Sequence, residues 1–152
     1  MGSEMCIRDS LSYMSNKLLG DGNTVASIDE MYLFLSNPTA IEYIRNAMKR
    51  VRKKDSSVIL ASQNIDDFLI PSIREFTKPL FSIPTHHFLF YPGNINPKDF
   101  EDALMVEPNE YYDLIKFAER GTCLYRCGNE RYLLLVQAPE FKSEIFGSAG
   151  GR

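Results

Sequence analysis

Two short apolar runs with a helical repeat between them are the clearest pattern along the chain. Residues 24–28 (TVASI) and 57–62 (SVILAS) are typical of buried β-strands. Between them, apolar side chains recur at steps of three, four and three residues, at Ile41, Ile44, Met48 and Val51. This spacing places them on one face of a helix. The stretch therefore predicts a strand–helix–strand unit with parallel strands and a right-handed crossover.

The ends of the predicted helix carry boundary signals. Asn37 can cap the helix, and Pro38 suits its first position. Basic side chains concentrate in the last turn, where cations interact favourably with the helix dipole. The polar pair Asp55-Ser56 then ends the helix and precedes the second strand.

The rest of the chain predicts further elements. Helices are expected at residues 11–19 and 96–106 and from residue 109 to Gly121, with a helical turn at 31–35. Residues 76–84 contain two prolines and are predicted to be less regular. Strands are expected at residues 87–91, 122–127 and 130–136, and Gly128-Asn129 between the last two is a hairpin signal.

The composition fits one globular domain of moderate charge. The 152 residues are 44% hydrophobic, which is enough for a core, and the net charge of -3 indicates no particular partner. The charge is unevenly placed, however, because six of the 17 basic residues lie between Arg45 and Lys54. Such a cluster is usually a solvated helix face, and less often a surface that meets the phosphates of a nucleotide or a nucleic acid.

Cysteine use and hydropathy exclude several classes of protein. The three cysteines, Cys6, Cys123 and Cys127, are too few for a disulfide framework and suit a reducing cytoplasm. Cys123 and Cys127 would lie about 13 Å apart along one strand, too far to bind one zinc ion with His86 and His87. We expect them to be small buried apolar residues. No apolar run is long enough to span a bilayer, and no signal peptide is visible.

The two ends of the chain differ from its middle. Residues 1–10 (MGSEMCIRDS) fit poorly with the remainder of the sequence and are typical of translated adapter sequence. We therefore expect a non-native leader and exclude it, with Cys6, from the functional reasoning. Residues 148–152 are expected to be a frayed tail. The functional part is then expected at residues 11–147, in a protein that extends further upstream.

Two adjacent carboxylates carry the main chemical signal. Asp29 and Glu30 directly follow the first strand, and ligands of open α/β sheets bind beyond the carboxyl ends of the strands. In such a site Asp29 would hold Mg²⁺ through water, while Glu30 would polarise the water that attacks a γ-phosphate. The alternative interpretation is an ordinary helix N-terminus with favourable acids.

The second strand and the basic helix end add two candidate residues. Gln63 ends the second strand at the same edge, and its amide can sense a γ-phosphate or orient water because it both donates and accepts. Its alternative interpretation is a polar loop residue. From the basic helix end we select Arg52, which could bind phosphate oxygens of a neighbouring subunit as a trans-acting finger. The alternative here is a solvated helix terminus.

Other clusters are interpreted as structural. Five aromatic residues could stack on nucleic-acid bases, but core packing is the preferred interpretation for Phe88, Phe90, Tyr91, Tyr111 and Tyr112. The acidic pairs at residues 66–67 and 101–102 are interpreted as first-turn helix acids rather than catalytic pairs.

Three stretches carry a resemblance to a known family. They are IDEMYLFL, IRNAMKRVRKKDSSVILASQNIDDFL and GTCLYRCGNERYLLLVQAPEFKSEIF. The first two resemble the Walker B strand, the following helix and the Gln-bearing strand of the type IV secretion and conjugative-transfer ATPases, and the third resembles that family's tail. The resemblance covers most of residues 23–146, and its sharpest motifs are Asp29-Glu30, the Arg52-Lys53 stretch and Ser62-Gln63. Ser62 stands where the family often has Thr.

The resemblance implies a hexameric motor that hydrolyses ATP with Mg²⁺ at subunit interfaces. The implied fold class is α/β, a partial RecA-like P-loop NTPase domain with parallel strands, crossover helices and a C-terminal β-hairpin. Asp29 would bind the metal, Asp29, Glu30 and Gln63 the nucleotide, and Glu30, Gln63 and Arg52 would be catalytic. Such a motor would power substrate transfer or pilus-like assembly as a peripheral protein on the cytoplasmic face of the membrane. Its partners would be other secretion-channel proteins and a DNA or protein substrate.

One motif of the family is absent from the sequence. No G-x-x-x-x-G-K-[ST] occurs, and in the family this loop precedes the Walker B strand. We therefore expect ATPase activity in the longer protein and none in the chain alone. Two alternatives stay open: a non-catalytic docking or oligomerisation module, and a related double-stranded DNA translocase. A P-loop encoded upstream would separate the module from the ATPase.

Overall fold

A computed structural model describes residues 2–147 of the chain, with the side chains of residues 2–8 and 146 left aside. The expected tail at 148–152 lies outside the described residues. The chain divides into two compact units, and each is treated by itself. Unit 1 runs up to Pro84 and includes Ile95–Met105, while unit 2 contains Thr85–Asn94 and the chain from Val106 onward.

Unit 1 is built around the predicted strand–helix–strand crossover. Strand β1 (Val25–Ile28) pairs in parallel with β2 (Ser57–Leu60), in a register that aligns Val25 with Ser57 and Ile28 with Leu60. Helix α2 (Pro38–Arg50) connects the two strands. The prediction of neighbouring parallel strands joined by a helix from Pro38 is therefore confirmed.

Helix α2 begins and ends as its boundary residues predict. The Asn37 side chain accepts a hydrogen bond from the Ala40 N–H at 3.1 Å, and Pro38 occupies the first turn. After Arg50 the chain continues into a 3₁₀ turn at Val51–Lys54. Asp55 then adopts a left-handed conformation with a φ of 51°, which ends the helical path before β2.

The core of unit 1 lies on one face of the two-stranded sheet. Its buried members come from the helices, the strand β1 and the turn that follows β1, and they include Leu11, Ile28, Met31, Leu35, Ile41, Ile44, Phe68 and Leu80. The predicted apolar face of α2 is buried at Ile41, Ile44 and Val51, and half-buried at Met48. The opposite face of the sheet is exposed at Val25 and Ile59.

Further helices complete unit 1. Helix α1 (Gly2–Ser15) runs into a π-helical segment at Asn16–Asp21, which covers the helix predicted at 11–19. A 3₁₀ turn at Met31–Phe34 confirms the predicted helical turn, and helix α4 (Pro97–Leu104) confirms the helix predicted near residue 96. The expectation of irregular structure at 76–84 is wrong for most of that stretch, which lies in helix α3 (Arg74–Ser82).

Helix α3 accommodates a proline in its interior. Pro79 lies five residues after the helix start, where it removes a backbone donor. The buried Thr77 hydroxyl supplies a tertiary contact beside it, because its Oγ1 donates to the Phe68 carbonyl oxygen at 2.6 Å. The Phe68 and Phe81 rings also meet edge to face, 5.3 Å apart. Packing against this neighbouring turn therefore holds a helix that local sequence alone disfavours.

Unit 2 contains an antiparallel sheet in the order β3-β4-β5. Strand β3 (His86–Leu89) pairs with β4 (Thr122–Cys127), which pairs with β5 (Glu130–Leu135). The predicted hairpin around Gly128-Asn129 is confirmed, and Gly128 has the positive φ of 59° that such a tight turn requires. The strand predicted at 87–91 exists but belongs to this sheet and not to the parallel one.

One face of this sheet is covered by a helix. Helix α5 (Pro108–Lys116) packs against β4 and buries Tyr111 and Leu114. The prediction of a helix from Asn109 to Gly121 is wrong at its end, because the helix stops at Lys116. It starts one residue earlier than predicted, where the Glu107 N–H donates to the Glu110 carboxylate at 2.8 Å. A last helix, α6 (Glu140–Phe146), follows the sheet.

The other face of the antiparallel sheet carries a row of aromatic rings. The Phe88 and Tyr125 rings stack with centroids 4.7 Å apart, and the Tyr125 and Tyr132 rings stack at 6.3 Å. Core packing, the preferred interpretation for five aromatic residues, is correct for Tyr111 and wrong for the other four. Those four side chains are all more than half exposed: Phe88, Phe90, Tyr91 and Tyr112.

The fold class is thus α/β, with a parallel pair, a crossover helix and a C-terminal hairpin. No helix within residues 2–147 is long and apolar enough to cross a membrane. Cys123 is fully buried, as expected of a small apolar residue, whereas Cys127 is half-buried. Burial raises the pKa of the Cys123 thiol, which disfavours the thiolate that a metal would need.

Candidate functional site

The carboxyl ends of the two parallel strands are joined by backbone hydrogen bonds beyond the last paired residues. The Ala61 N–H donates to the Ile28 carbonyl oxygen at 2.9 Å, and the Met31 N–H donates to the Ala61 carbonyl oxygen at 2.9 Å. These bonds clamp the segment after β2 against the turn after β1. The side chains of Asp29, Glu30 and Gln63 therefore leave the sheet at one edge.

The structure brings Glu30 and Gln63 into direct contact. The Gln63 Nε2 donates to the Glu30 Oε1 at 2.5 Å, although the two residues are 33 positions apart in sequence. A hydrogen bond to a charged acceptor is stronger than one between neutral groups. The hydrogen bond thus fixes the position of the Glu30 Oε1 and holds the Gln63 amide beside it, beyond the ends of the two strands.

The backbone at Glu30 is strained. Its φ of 51° lies in the left-handed region, which a residue with a Cβ atom adopts at a cost of about 1–2 kcal/mol. Asp29 supports this conformation, because its Oδ1 accepts from the Glu30 N–H at 2.8 Å. Strain of this kind in non-glycine residues concentrates at functional sites, where the surroundings hold a side chain in a required direction.

The two oxygens of the Glu30 carboxylate have different environments. Oε1 is bound by Gln63, whereas Oε2 is buried and has no hydrogen-bond partner among the described residues. A buried acceptor without a donor costs about 1–3 kcal/mol. Asp29 and Gln63 are exposed, so a ligand or a water could reach the site from solvent.

The geometry distinguishes the functional interpretation from the plain helix-start alternative. Glu30 stands at the N-terminal boundary of the turn Met31–Phe34, but its side chain makes no capping hydrogen bond. Gln63 points towards Glu30 rather than away into a loop. Only Asp29 behaves as the alternative predicts, since its carboxylate accepts a local backbone bond.

Magnesium nucleotide fits the donor chemistry of this edge. Two carboxylates and an amide supply the oxygen ligands and hydrogen bonds that Mg²⁺, its waters and phosphate groups use. Protein groups alone do not form a complete metal cage, because residues 2–147 contain no group of three or more metal-binding side chains. A magnesium ion here would keep several waters and phosphate oxygens as ligands.

Arg52 lies at the opposite edge of the parallel sheet. It belongs to the turn Val51–Lys54 that precedes β2, and the Lys54 carbonyl oxygen accepts from the Asn23 N–H at 3.0 Å, just before β1. Four strand residues span about 13 Å. The structure therefore does not bring Arg52 together with Glu30 and Gln63 of the same chain.

Sequence reasoning missed a buried polar cluster in unit 2. Arg126 is only 6% exposed on the helix-covered side of β4. Its Nη2 lies 3.4 Å from the His87 Nδ1, and the nearby Arg131 Nη1 binds the Glu110 Oε2 at 2.5 Å. Burial and the charge of Arg131 lower the pKa of Arg126, while Glu110 opposes them. The sequence did contain a signal for the burial of Arg126. Side chains alternate between the two faces of a strand, so within TCLYRC Arg126 lies on the same face as Leu124.

The chain is similar in sequence and in structure to known proteins of type IV secretion systems. No protein-family model matches the chain. Over 96 residues the chain is 30% identical to the type IV secretion system protein CagE of Helicobacter pylori, a match that covers 63% of this chain and 10% of that protein. The fold is similar to the structure of VirB4 of Thermoanaerobacter pseudethanolicus, with a TM-score of 0.78, 29% identity and coverage of 89% of this chain and 37% of that one. The resemblance to the type IV secretion ATPases is thereby confirmed, and the chain matches only part of each relative's length.

Proposed function

We propose that the chain is part of an ATP-hydrolysing motor of a type IV secretion or conjugation system. The observation that carries this proposal is the contact between Glu30 and Gln63 at the carboxyl edge of two parallel strands. Open α/β sheets bind ligands at this edge, and acid and amide side chains there suit the hydrolysis of a phosphoanhydride. The likeness to VirB4 and CagE supports the same conclusion.

Each residue of the site has a separate proposed role. Asp29 would hold Mg²⁺, which would supply charge neutralisation for the phosphate oxygens when bound. The Glu30 carboxylate acts as the general base that accepts a proton from the attacking water. Gln63 positions the Glu30 carboxylate through Oε1 and can turn its amide to a γ-phosphate.

Two elements of the complete site must come from elsewhere. The sequence has no phosphate-binding loop, so the remainder of a longer protein supplies the backbone cradle and the lysine. Arg52 lies about one strand length from Glu30, and we therefore assign it to the site of a neighbouring subunit. Head-to-tail contacts of this kind close into rings, which fits a RecA-like hexamer.

The cellular setting is part of the same proposal. The motor works as a peripheral protein on the cytoplasmic face of the membrane and assembles with other secretion-channel proteins. It acts on a DNA or protein substrate. Nothing in the geometry of residues 2–147 favours the docking-module alternative. A pure docking surface gives no reason for the strained backbone of Glu30 or for the unpaired Oε2 of its carboxylate.

A substitution at Glu30 tests the proposal in the longer protein. Glu30→Gln should lower ATP turnover by about 10²–10⁴-fold, because it removes the general base, while nucleotide binding persists. Glu75→Gln, an exposed change of the same type on α3, is the matched control and should leave turnover unchanged. Equal turnover in the Glu30→Gln protein and the control would refute the assignment of this site.

A further inference from the structure

The antiparallel sheet of unit 2 has an open edge along β5. This strand is last in the order β3-β4-β5, and no strand within residues 2–147 pairs with its outer side. The Val136 N–H donates to the Gly121 carbonyl oxygen at 2.9 Å and continues the ladder between β4 and β5. Inward and outward bonding groups alternate along an antiparallel strand, so the N–H and C=O groups of Leu133 and Leu135 point away from β4. Such an edge is ready to accept a further strand.

The side chains along this edge are apolar and exposed. The exposed fractions are 44% for Leu133, 52% for Leu135 and 56% for Val136. Residues 130–136 contain neither lysine nor proline, which commonly protect an edge strand from pairing with another chain. Helix α6 follows the strand in sequence and leaves these side chains exposed. The described part of the chain therefore does not cover the edge.

We propose that β5 pairs antiparallel with β5 of a second copy of this chain, about a two-fold axis at Leu133. The pairing spans residues 130–136 and joins two three-stranded sheets into one six-stranded sheet. It gives the outward main-chain groups of Leu133 and Leu135 hydrogen-bond partners in both copies. The contact lies entirely within unit 2, so it is separate from the site at Glu30.

The sequence of β5 is complementary to itself in this register. On the aromatic face, Tyr132 of each copy lies opposite Leu134 of the other. On the face that α5 covers, the two Leu133 side chains lie opposite each other. Aromatic and aliphatic cross-strand pairs of this kind stabilise a sheet. Glu130 lies opposite Val136, so no like charges face each other across the axis.

Charge gives this edge no preference for a charged peptide. The Glu130 carboxylate already accepts from the Tyr132 hydroxyl at 2.9 Å, and the Arg131 guanidinium already binds the Glu110 carboxylate. A partner strand is therefore selected by its apolar side chains, and β5 of a second copy supplies them along the whole length of the edge.

Other arrangements of two copies fit less well. An axis at Tyr132 would pair only residues 130–134, and an axis at Leu134 only residues 132–136. Pairing of β5 with β3 of another copy would leave an open edge at each end, so that copies would add without limit. The two-fold arrangement closes after two copies and covers the apolar edge of both.

The first test is the mass of the complete 152-residue chain in solution, without nucleotide. A single strand pair buries less than about 1,200 Å², so the dimer should be weak and should dissociate on dilution. Sedimentation velocity between about 5 and 300 µM should show the average mass rising towards twice the 17.4 kDa of one chain.

Charge substitution locates the contact. Leu133→Lys places two cations opposite each other at the axis and should weaken association by at least about tenfold. Ile145→Lys makes the same change at an exposed position of α6 and should stay within about twofold. Circular dichroism verifies that both variants fold.

A cross-link tests the register even if Leu133→Lys fails to fold. Opposite residues of a hydrogen-bonded pair have Cα atoms about 5.5 Å apart, which is within disulfide range. Leu133→Cys should therefore form a covalent dimer on mild oxidation. Val136→Cys is the matched control, because the two copies of residue 136 would lie about 20 Å apart. The unchanged chain gives the background from its three cysteines.

Four outcomes would overturn the inference. They are a monomer at about 300 µM, assembly that continues beyond two copies, equal loss of association in the two lysine variants, and cross-linking at position 136 as strong as at 133. None of them affects the proposal for Glu30, which is tested by ATP turnover.

Discussion

The two sheets of the molecule differ in where their polar side chains lie, at the strand ends in one and within a strand in the other. In the parallel sheet of unit 1, functional groups gather at the strand ends, where Glu30 and Gln63 meet beyond the last paired residues. In the antiparallel sheet of unit 2, polar groups lie within the sheet, where Arg126 is buried under a helix. The opposite face of that sheet exposes stacked aromatic rings.

This difference shows which surface can hold a ligand. Parallel strands all end at one edge, so side chains from distant parts of the sequence converge there in loops. The rings on the antiparallel face already stack on one another, with Phe88 and Tyr125 inclined by 26° and Tyr125 and Tyr132 by 21°. The ring faces that meet within the row are not available to an inserted base. Chemistry is therefore expected in unit 1, and packing in unit 2.

The largest expected effect is a loss of folding stability in the buried core of unit 1, compared with a smaller loss at the exposed rings of unit 2. Ile44 is fully buried in unit 1, and Ile44→Ala should lower the free energy of unfolding by about 2–5 kcal/mol. Phe88→Ala in unit 2 should cost only about 0.5–1.5 kcal/mol, because that ring is half exposed and loses mainly one stacking contact. Urea unfolding of both variants measures the difference. Equal losses would show that another part of the protein covers the aromatic face.

A smaller effect is expected at the buried hydroxyl that supports α3. Thr77→Val keeps the shape of the side chain but leaves the Phe68 carbonyl oxygen without its donor, at a cost of about 1–3 kcal/mol. Thr39→Val, at an exposed position in the first turn of α2, is the matched control and should change stability by less than about 0.5 kcal/mol. If the two variants unfold at the same urea concentration, packing rather than this hydrogen bond stabilises the proline-containing helix.

Local pattern predicted much of unit 1. The spacing of Ile41, Ile44 and Val51, with the Asn37 cap, was sufficient for α2 and for the parallel strands on either side, because these signals are local. The convergence of acid and amide was also predictable from strand direction. The hydrogen bond between Glu30 and Gln63 and the left-handed Glu30 backbone were not, since they depend on how two turns pack together.

Unit 2 was less predictable because its structure depends on non-local contacts. The hairpin was visible from Gly128-Asn129, but the pairing of β3 with β4 joins segments far apart in sequence. Apolar composition could not show which face a helix would cover, so Phe88 was assigned to the core although it is exposed. Helix α3 was missed for a similar reason, because tertiary contacts of Thr77 outweigh the local effect of Pro79.

A third prediction concerns the strain stored at the candidate site. Glu30→Gly should raise the free energy of unfolding of the 152-residue chain by up to about 1 kcal/mol, because glycine adopts a φ of 51° without steric cost. The lost bond to Gln63 offsets part of this gain. Glu42→Gly, inside α2, should instead cost about 1 kcal/mol. Destabilisation by both changes in urea titrations would mean that Glu30 contributes to stability and is not held under strain.

The smallest expected effect is a pH dependence that arises from Cys123 in unit 2. Burial raises the pKa of this thiol above its ordinary value of 9.0, so the folded chain holds the proton more tightly than the unfolded chain. Stability from this residue is complete below that value and falls as the pH rises through the interval up to the folded pKa. Tyr125 and Tyr132 also have raised pKa values, chiefly through hydrogen bonds to Cys127 and Glu130, and they add a decline of the same sign.

Comparison with Cys123→Ala isolates the thiol, since both proteins keep the two tyrosines. Urea unfolding under reducing conditions should show a shallower loss of stability between pH 8 and 10.5 in the variant than in the unchanged protein. Any constant cost of the cavity shifts the whole curve and leaves its slope alone. Parallel curves over this interval would mean that water reaches Cys123, and that the sheet of unit 2 is more open at this position than its full burial indicates.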